Sequence, residues 1–310
     1  MGLLGVELTR WRARPAVAAL MLAAVLFALV AAGLTAWESR ALTEAERDDA
    51  VSQAELTLRD PGVRAEVEAC RDSPTDYLGP DAVADDCLGV LAPDPERFWP
   101  RTPLDLAEVL PQRGVEVALV VVCLMVVAAS TFVGADWATG SMRTQLLVEP
   151  RRLRVWLAKA VAALVWSAAT TAVALLAFWG VLAAVARARG LEVGDGVALD
   201  AAAQVGRSVV LAACAALGAF ALTMALRHTV ATLGLLFVYA VGGEIALGLL
   251  PVPDVASWSV GRNALEWVQD GPGEAFTLAG SPYLGPAAFL GALTLLAVLV
   301  SLPVFTRRDV

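Results

Sequence analysis

The sequence predicts an all-α integral membrane protein of six transmembrane helices, with a small extracytoplasmic domain between the first two. Three observations carry this. Of 310 residues, 58% are hydrophobic and 17% charged, against about 45–50% and 25% in soluble domains, and mean hydropathy is +0.67. The charges are clumped, leaving uncharged runs at 15–37, 117–135, 160–186, 208–226 and 275–306, and a run at 229–253 broken only by Glu244. Each can supply the roughly 20 apolar residues that span a hydrocarbon core of about 30 Å. Third, residues 38–111 hold 18 Asp and Glu against 7 Arg, so a chain of net charge −8 carries +3 outside that segment.

The chain divides accordingly into residues 1–37, a surface helix and span 1; residues 38–111, the acidic extracytoplasmic domain; and residues 112–310, spans 2 to 6. Residues 3–14 read as an amphipathic helix at the headgroup level, with Leu4, Leu8 and Trp11 on one face and Glu7, Arg10 and Arg14 on the other. Pro15 opens span 1. Its 23 uncharged residues exceed the h-region of a cleaved signal peptide, about 7–15 residues, so the helix is expected to be retained.

In the acidic domain, Thr43 and Glu46 fit a capping box, and Asp60-Pro61 supplies an N-cap followed by Pro at the first helical position. These predict two helices, the second reaching about Arg71. Pro74, Pro80, Pro93, Pro95, Pro100 and Pro103 then predict ordered loop. Cys70 and Cys87 are the only cysteines of this domain. A thiol pair on an oxidising face predicts a disulfide. Cys123 and Cys214 fall in apolar runs and read as packing residues.

Basic residues fix the expected orientation. Arg10, Arg12 and Arg14 precede span 1, a cluster at 143–159 precedes span 3, Arg227-His228 forms a short turn into span 5, and Arg307-Arg308 ends the chain. Six spans then put both termini in the cytoplasm, with Arg187 and Arg189 running against the trend in an outer loop, 187–206. One lysine against 22 arginines, with abundant alanine, points to a GC-rich bacterial genome and hence to a bacterial plasma membrane. No basic arm lies free of the membrane, which excludes a nucleic-acid partner.

Chemistry is sparse. There is no G-x-x-x-x-G-K-[ST], no G-x-S-x-G and no H-E-x-x-H, and the single histidine is His228. Neither a catalytic residue set nor a metal site is predicted, and the chain is not expected to act as an enzyme. Glu244 is the one acid inside a span. It is a candidate for function by default, but its place about two turns before Pro251, near the outer interface, favours a structural, solvated carboxylate. Residues 254–283 alternate Trp258, Trp267, Phe276 and Tyr283 with Gly and Pro, which predicts an interfacial or re-entrant segment.

The long polar interruption is the loop 134–159, GADWATGSMRTQLLVEPRRLRVWLAK. Asp136 to Ser141 reads as a helix exit into a turn, with Ser141 capping a short helix from Met142 to Val148 that Pro150 ends. Such a helix on the cytoplasmic surface is placed to receive a push from a soluble partner. The same residues also fit a stop-transfer turn whose arginines meet anionic lipid.

Here the sequence resembles the permease subunits of ABC-2 type transporters, bacterial relatives of the type V exporter fold. The resemblance rests on Asp136, Gly140-Ser141, Leu146-Leu147, Pro150, Arg151-Arg152 and Lys159, on the six-span plan with its amphipathic start, on the aromatic segment 251–283 and on the Arg-Arg-Asp ending. Asp136 stands where Glu is frequent and Ser141 where Thr is, and residues 38–111 are not covered closely. The resemblance implies that Asp136, Gly140, Ser141, Leu146, Leu147, Pro150, Arg151 and Arg152 form a coupling helix and its flanks, docking on separate P-loop ATP-binding subunits. ATP and Mg would be bound by those subunits and no cofactor by this chain. It also implies a second permease, identical or not, that completes a route through the lipid. Two other classes stay open: a secondary transporter or channel, and a membrane-anchored sensor or assembly protein working through its extracytoplasmic domain.

Overall fold

The computed structural model describes residues 2–80, 82–191, 193–249, 258–269 and 284–307. Among them all regular structure is helical, and six segments are long and apolar enough to cross a membrane: Pro15–Glu38, Leu106–Ala138, Arg152–Ala188, Gly196–Leu226, Thr229–Leu249 and Gly285–Arg307. This is the architecture of an all-α, multi-pass membrane protein. Backbone groups in lipid have no water to bond, so helices that satisfy their own amides are the natural spanning element.

The chain forms two compact units, Met1–Gly33 with Asp105–Val310, and Leu34–Leu104. In the first, α1 (Leu3–Ala13) leads through Arg14 into α2 (Pro15–Glu38). After the acidic unit, α7 (Leu106–Val109) and a π-turn at Leu110–Gly114 lead into α8 (Val115–Ala138). Residues 105–111 fall in the first unit, with the helix that follows. Then come α9 (Ser141–Val148), α10 (Arg152–Ala188) and α11 (Asp195–Leu226). The expected outer loop 187–206 is mostly helix: α11 begins at Asp195, because a helix leaving the membrane needs no uncharged sequence and the run at 208 marked only its apolar part.

Arg227, in the left-handed region at φ 60°, reverses the chain, and His228 caps the next helix by accepting from the Ala231 N–H at 3.3 Å. That next helix, α12 (Thr229–Val238), runs through a π-turn at Tyr239–Gly243 into α13 (Glu244–Leu249). α14 (Val260–Gln269) and α15 (Leu284–Arg307) complete the unit. Of the segment 251–283, only residues 258–269 are described; the expected re-entrant course otherwise lies outside the described residues, as do Arg308 and Asp309.

The core sits where α8, α10 and α11 meet, joined by α15 and α1. Trp11, Phe132, Val133, Met142, Trp156, Phe220, Met224 and Phe305 interlock there, with Trp156 edge-on to Phe220 at 5.2 Å and Trp11 tilted on Phe132 at 4.6 Å. Lipid tails are as apolar as these side chains, so the cluster holds by close packing rather than by escape from water. Gly134 shows how close: a Cβ there would lie 1.6 Å from Thr229 Oγ1. On α2, by contrast, the stripe Leu22, Leu26, Val30 and Leu34 is exposed.

The acidic unit contains α3 (Glu44–Leu58), α4 (Pro61–Asp72), α5 (Pro74–Leu78) and α6 (Asp86–Leu91), then a 3-10 turn at Pro95–Phe98. The Thr43–Glu46 capping box is complete, and Asp60 accepts from the Gly62 N–H at 2.8 Å. The proline-rich stretch is not plain loop. Pro74 and Pro95 each occupy the first position of a short helical turn, where the missing N–H costs nothing. Cys70 and Cys87 form a disulfide that joins α4 to α6.

Candidate functional site

The loop between α8 and α10 is built by one glycine and one carboxylate. α8 ends at Ala138, and Gly140 at φ +70° turns the chain back. A side chain is strained in that conformation, so glycine suits the position. Ser141 is not the cap expected of it but the first residue of α9, and no side chain caps that helix. Its hydroxyl donates instead to Asp136 Oδ1 at 2.5 Å. A carboxylate one turn upstream is a stronger acceptor than the competing local options for a serine. Met142 is buried in the core, and Leu146 packs against it.

Asp136 is the hub of a buried ionic cluster. Lys159 Nζ donates to Asp136 Oδ2 at 2.6 Å and to Glu7 Oε2 at 2.9 Å, and all three side chains are fully buried. Arg10 reaches Asp136 Oδ1 at 2.8 Å, Glu7 Oε1 at 3.0 Å and Gln145 Oε1 at 3.2 Å. Arg14 pairs with Asp136 and donates to the Phe132 carbonyl. Gln145 Nε2 closes the circuit on Glu7 Oε1 at 2.6 Å. Both Lys159 and Arg14 lie over the Phe132 ring, at 5.2 and 5.0 Å.

Burying one carboxylate alone is costly enough to force its neutralisation. Here every buried charge meets an opposite one with additional hydrogen bonds, the condition under which buried ion pairs are tolerated. Two carboxylates face three cations, and the excess positive charge sits on Arg10 and Arg14, which are 30% and 20% exposed.

This cluster overturns the expected face of α1. Glu7 is buried beside Trp11, while Leu4 is 41% exposed. The helix turns its polar edge inward because Asp136 and Lys159 wait there. Trp166 of α10 adds an indole N–H bond to the Leu8 carbonyl at 3.0 Å. The cluster thus ties α1, the end of α8, α9 and the start of α10 into one block.

The outer side of α9 is the reverse. Leu147 and Val148 are 85% and 84% exposed, among exposed Arg143, Pro150, Arg151 and Arg154. Arg152 turns away, donating to the Phe305 and Thr306 carbonyls at 3.3 Å each, where a cation satisfies the open carbonyls ending α15. So of the expected coupling residues, Asp136 and Ser141 meet in the interior, Gly140 makes the turn, Leu146 faces the core, and Leu147, Pro150 and Arg151 face outward.

Glu244 lies elsewhere, half-buried at the start of α13, and accepts from the Gly261 N–H at 3.1 Å near the start of α14. Trp267 and Arg207 fasten the other end of α14 to α11, through bonds to the Arg207 and Val268 carbonyls at 2.9 and 3.3 Å. Among the described residues no His, Cys, Asp and Glu group could hold a metal ion.

Sequence reasoning missed Glu7, Gln145 and the inward role of Lys159. The available signal was a lone lysine 23 residues after a lone aspartate, with both placed at the ends of apolar runs. No family model, no curated protein and no solved structure matches the chain.

Proposed function

We propose that the chain is the permease subunit of an ABC-2 type, ATP-driven transporter, working in a bacterial plasma membrane with both termini in the cytoplasm. α9 is its coupling helix. The observation that carries the reading is the two-sidedness of this eight-residue helix. One side is held by the ionic cluster and the core, and the other offers Leu147 and Val148 to solvent between arginines. Two adjacent, almost fully exposed aliphatic side chains on a short polar helix suit a surface that a partner covers. Separate P-loop subunits bind ATP and Mg and press on that tip, and a second permease completes the route.

The mechanism follows from the linkage. A push on Leu147 cannot be absorbed by bending α9 alone, because Ser141 and Gln145 join it to Asp136 and Glu7. Displacement passes to the adjoining ends of α8 and α10 and to α1 together, so these ends slide as one against the rest of the packed core. This is a shear between packed helices, the kind of motion that well-packed interiors allow.

The test is whether the chain, purified from its native membrane, brings a P-loop ATPase with it. Wild type should retain the ATPase, and Leu147→Asp with Arg151→Glu should lose it while membrane insertion is unchanged. Arg152→Glu should act mainly through stability. Retention by the Leu147/Arg151 variant overturns the docking surface. Failure of the wild type to hold any ATPase, with efflux from vesicles independent of ATP, favours a secondary transporter instead.

A further inference from the structure

The acidic unit carries a cleft of opposite character to the rest of its surface. It has a volume of about 470 Å³ and is lined by Glu55 and Leu58 of α3 with Arg59 just after it, by Arg64, Val67, Glu68 and Arg71 of α4, and by Leu88 of α6. The lining is a consequence of helical spacing. Glu55, Leu58 and Arg59 fall at i, i+3 and i+4, and Arg64, Val67, Glu68 and Arg71 at i, i+3, i+4 and i+7, so each set shares one face. Its apolar lining is Leu58, Val67 and Leu88, of which Val67 is buried, Leu58 half-buried and Leu88 exposed. Behind it Cys70, three residues from Val67, is bonded to Cys87, next to Leu88, which fixes α6 against α4.

Three of the seven arginines of residues 38–111 converge on this rim, in a segment with 18 acids. With Glu55 and Glu68 also in the lining, the cleft carries one positive charge in excess, within a segment whose balance is −11. Among the described residues no ion pair engages Arg64, Arg71 or Glu68. Arg59 meets Glu55 at 3.4 Å with both side chains more than 60% exposed. A pair that solvated is easily exchanged for another anion. Guanidinium groups bind carboxylate and phosphate with paired N–H donors, and the volume falls in the range of small-ligand sites, about 300–1,000 Å³.

We propose that this cleft binds a small amphipathic anion, a carboxylate or phosphate head at Arg59, Arg64 and Arg71 on a short apolar body lying over Leu58, Val67 and Leu88. The proposal is independent of the coupling role of α9.

The test uses the full chain in nanodiscs of zwitterionic lipid, titrated calorimetrically with hexyl phosphate, with empty nanodiscs subtracted. Inorganic phosphate tests the head alone, and hexyltrimethylammonium tests the body with the wrong charge. The expected result is saturable binding of hexyl phosphate, at least tenfold weaker binding of inorganic phosphate, and none of the cation. Arg64→Gln with Arg71→Gln should weaken hexyl phosphate at least tenfold. Arg47→Gln with Arg97→Gln, the same charge change at exposed positions of the same unit away from the cleft, should leave it unaltered. Retention of the Cys70–Cys87 bridge by mass confirms that the variants fold. Absence of saturable binding, equal loss in both double variants, or equal binding of inorganic phosphate overturns the proposal.

Discussion

Asp136 and Lys159, 23 residues apart at the end of α8 and the start of α10, meet at 2.6 Å with neither side chain reaching solvent. The pair converts a flexible-looking loop into a fixed bracket, since the eight residues of α9 must then fit between two anchored ends.

Lys159→Met should therefore be among the most damaging single changes in the chain. It leaves Glu7 and Asp136 buried with only the part-exposed arginines as counter-ions, at a cost of about 3–5 kcal/mol. Arg154→Met, at an exposed position, should shift stability by about 0.5 kcal/mol or less. Thermal unfolding in detergent compares the two, and adding Asp136→Asn to Lys159→Met should recover part of the loss. Equal midpoints for the Lys159 and Arg154 variants would remove the cluster from any structural role.

Glycines in this protein should divide by sign. Gly134→Ala places a Cβ against the Oγ1, Cβ and backbone nitrogen of Thr229, at 1.6, 2.8 and 3.1 Å. Overpacking of this kind costs about 1–3 kcal/mol. At Gly180, inside α10, the same substitution meets nothing within 4 Å and should gain about 0.5–1 kcal/mol of helix stability. Melting both variants side by side checks the contrast.

Glu46 gives the acidic unit a defined acid limit. Its carboxylate accepts from the Thr43 backbone N–H at 2.9 Å and from Arg101 at 2.5 Å, which together lower its pKa from 4.5 to about 2. A carboxylate depressed on folding contributes stability that is whole above its unfolded value and is lost as pH falls through its folded one. The start of α3 should hold at pH 5 and loosen between about 4.5 and 2. Glu46→Gln should flatten that window in a carbon-detected titration, and an ordinary midpoint for Glu46 in wild type would refute the account.

Removing the Cys70–Cys87 bridge, which closes a separation of 17 residues, should cost the acidic unit about 3 kcal/mol in the chain-entropy view. Protease susceptibility of residues 60–91 in the double alanine variant measures this. Mass analysis of mature protein without reductant should show no free thiol at either position.

What could be read in advance was whatever is local. Uncharged runs gave the six apolar helices, because charge is expensive in lipid wherever it occurs. Thr43 with Glu46, and Asp60 with Pro61, announced their helices because capping is completed within four residues. The start of α9 differs because Ser141 has a better partner in Asp136, five residues back, than in the amides it was expected to cap. The start of α11 at Asp195 is not legible because the uncharged run from 208 marks only the apolar part of that helix. Least legible was the polar edge of α1. Glu7 and Lys159 are 152 residues apart, and an amphipathic pattern says which residues share a face without saying whether that face meets water or another helix.

The same separation has a consequence in time. Arg14 is synthesised 122 residues before the carboxylate that later encloses it. At about 5–20 residues per second, that interval is on the order of 6–24 s. Through it Arg10 and Arg14 are solvated charges in front of a newly made apolar helix, able to hold the first segment's orientation while the following ones are laid down. Only when Asp136 and Lys159 arrive do the arginines give up most of their water for the cluster. One pair of side chains thus serves first as a signpost for assembly and afterwards as its fastening.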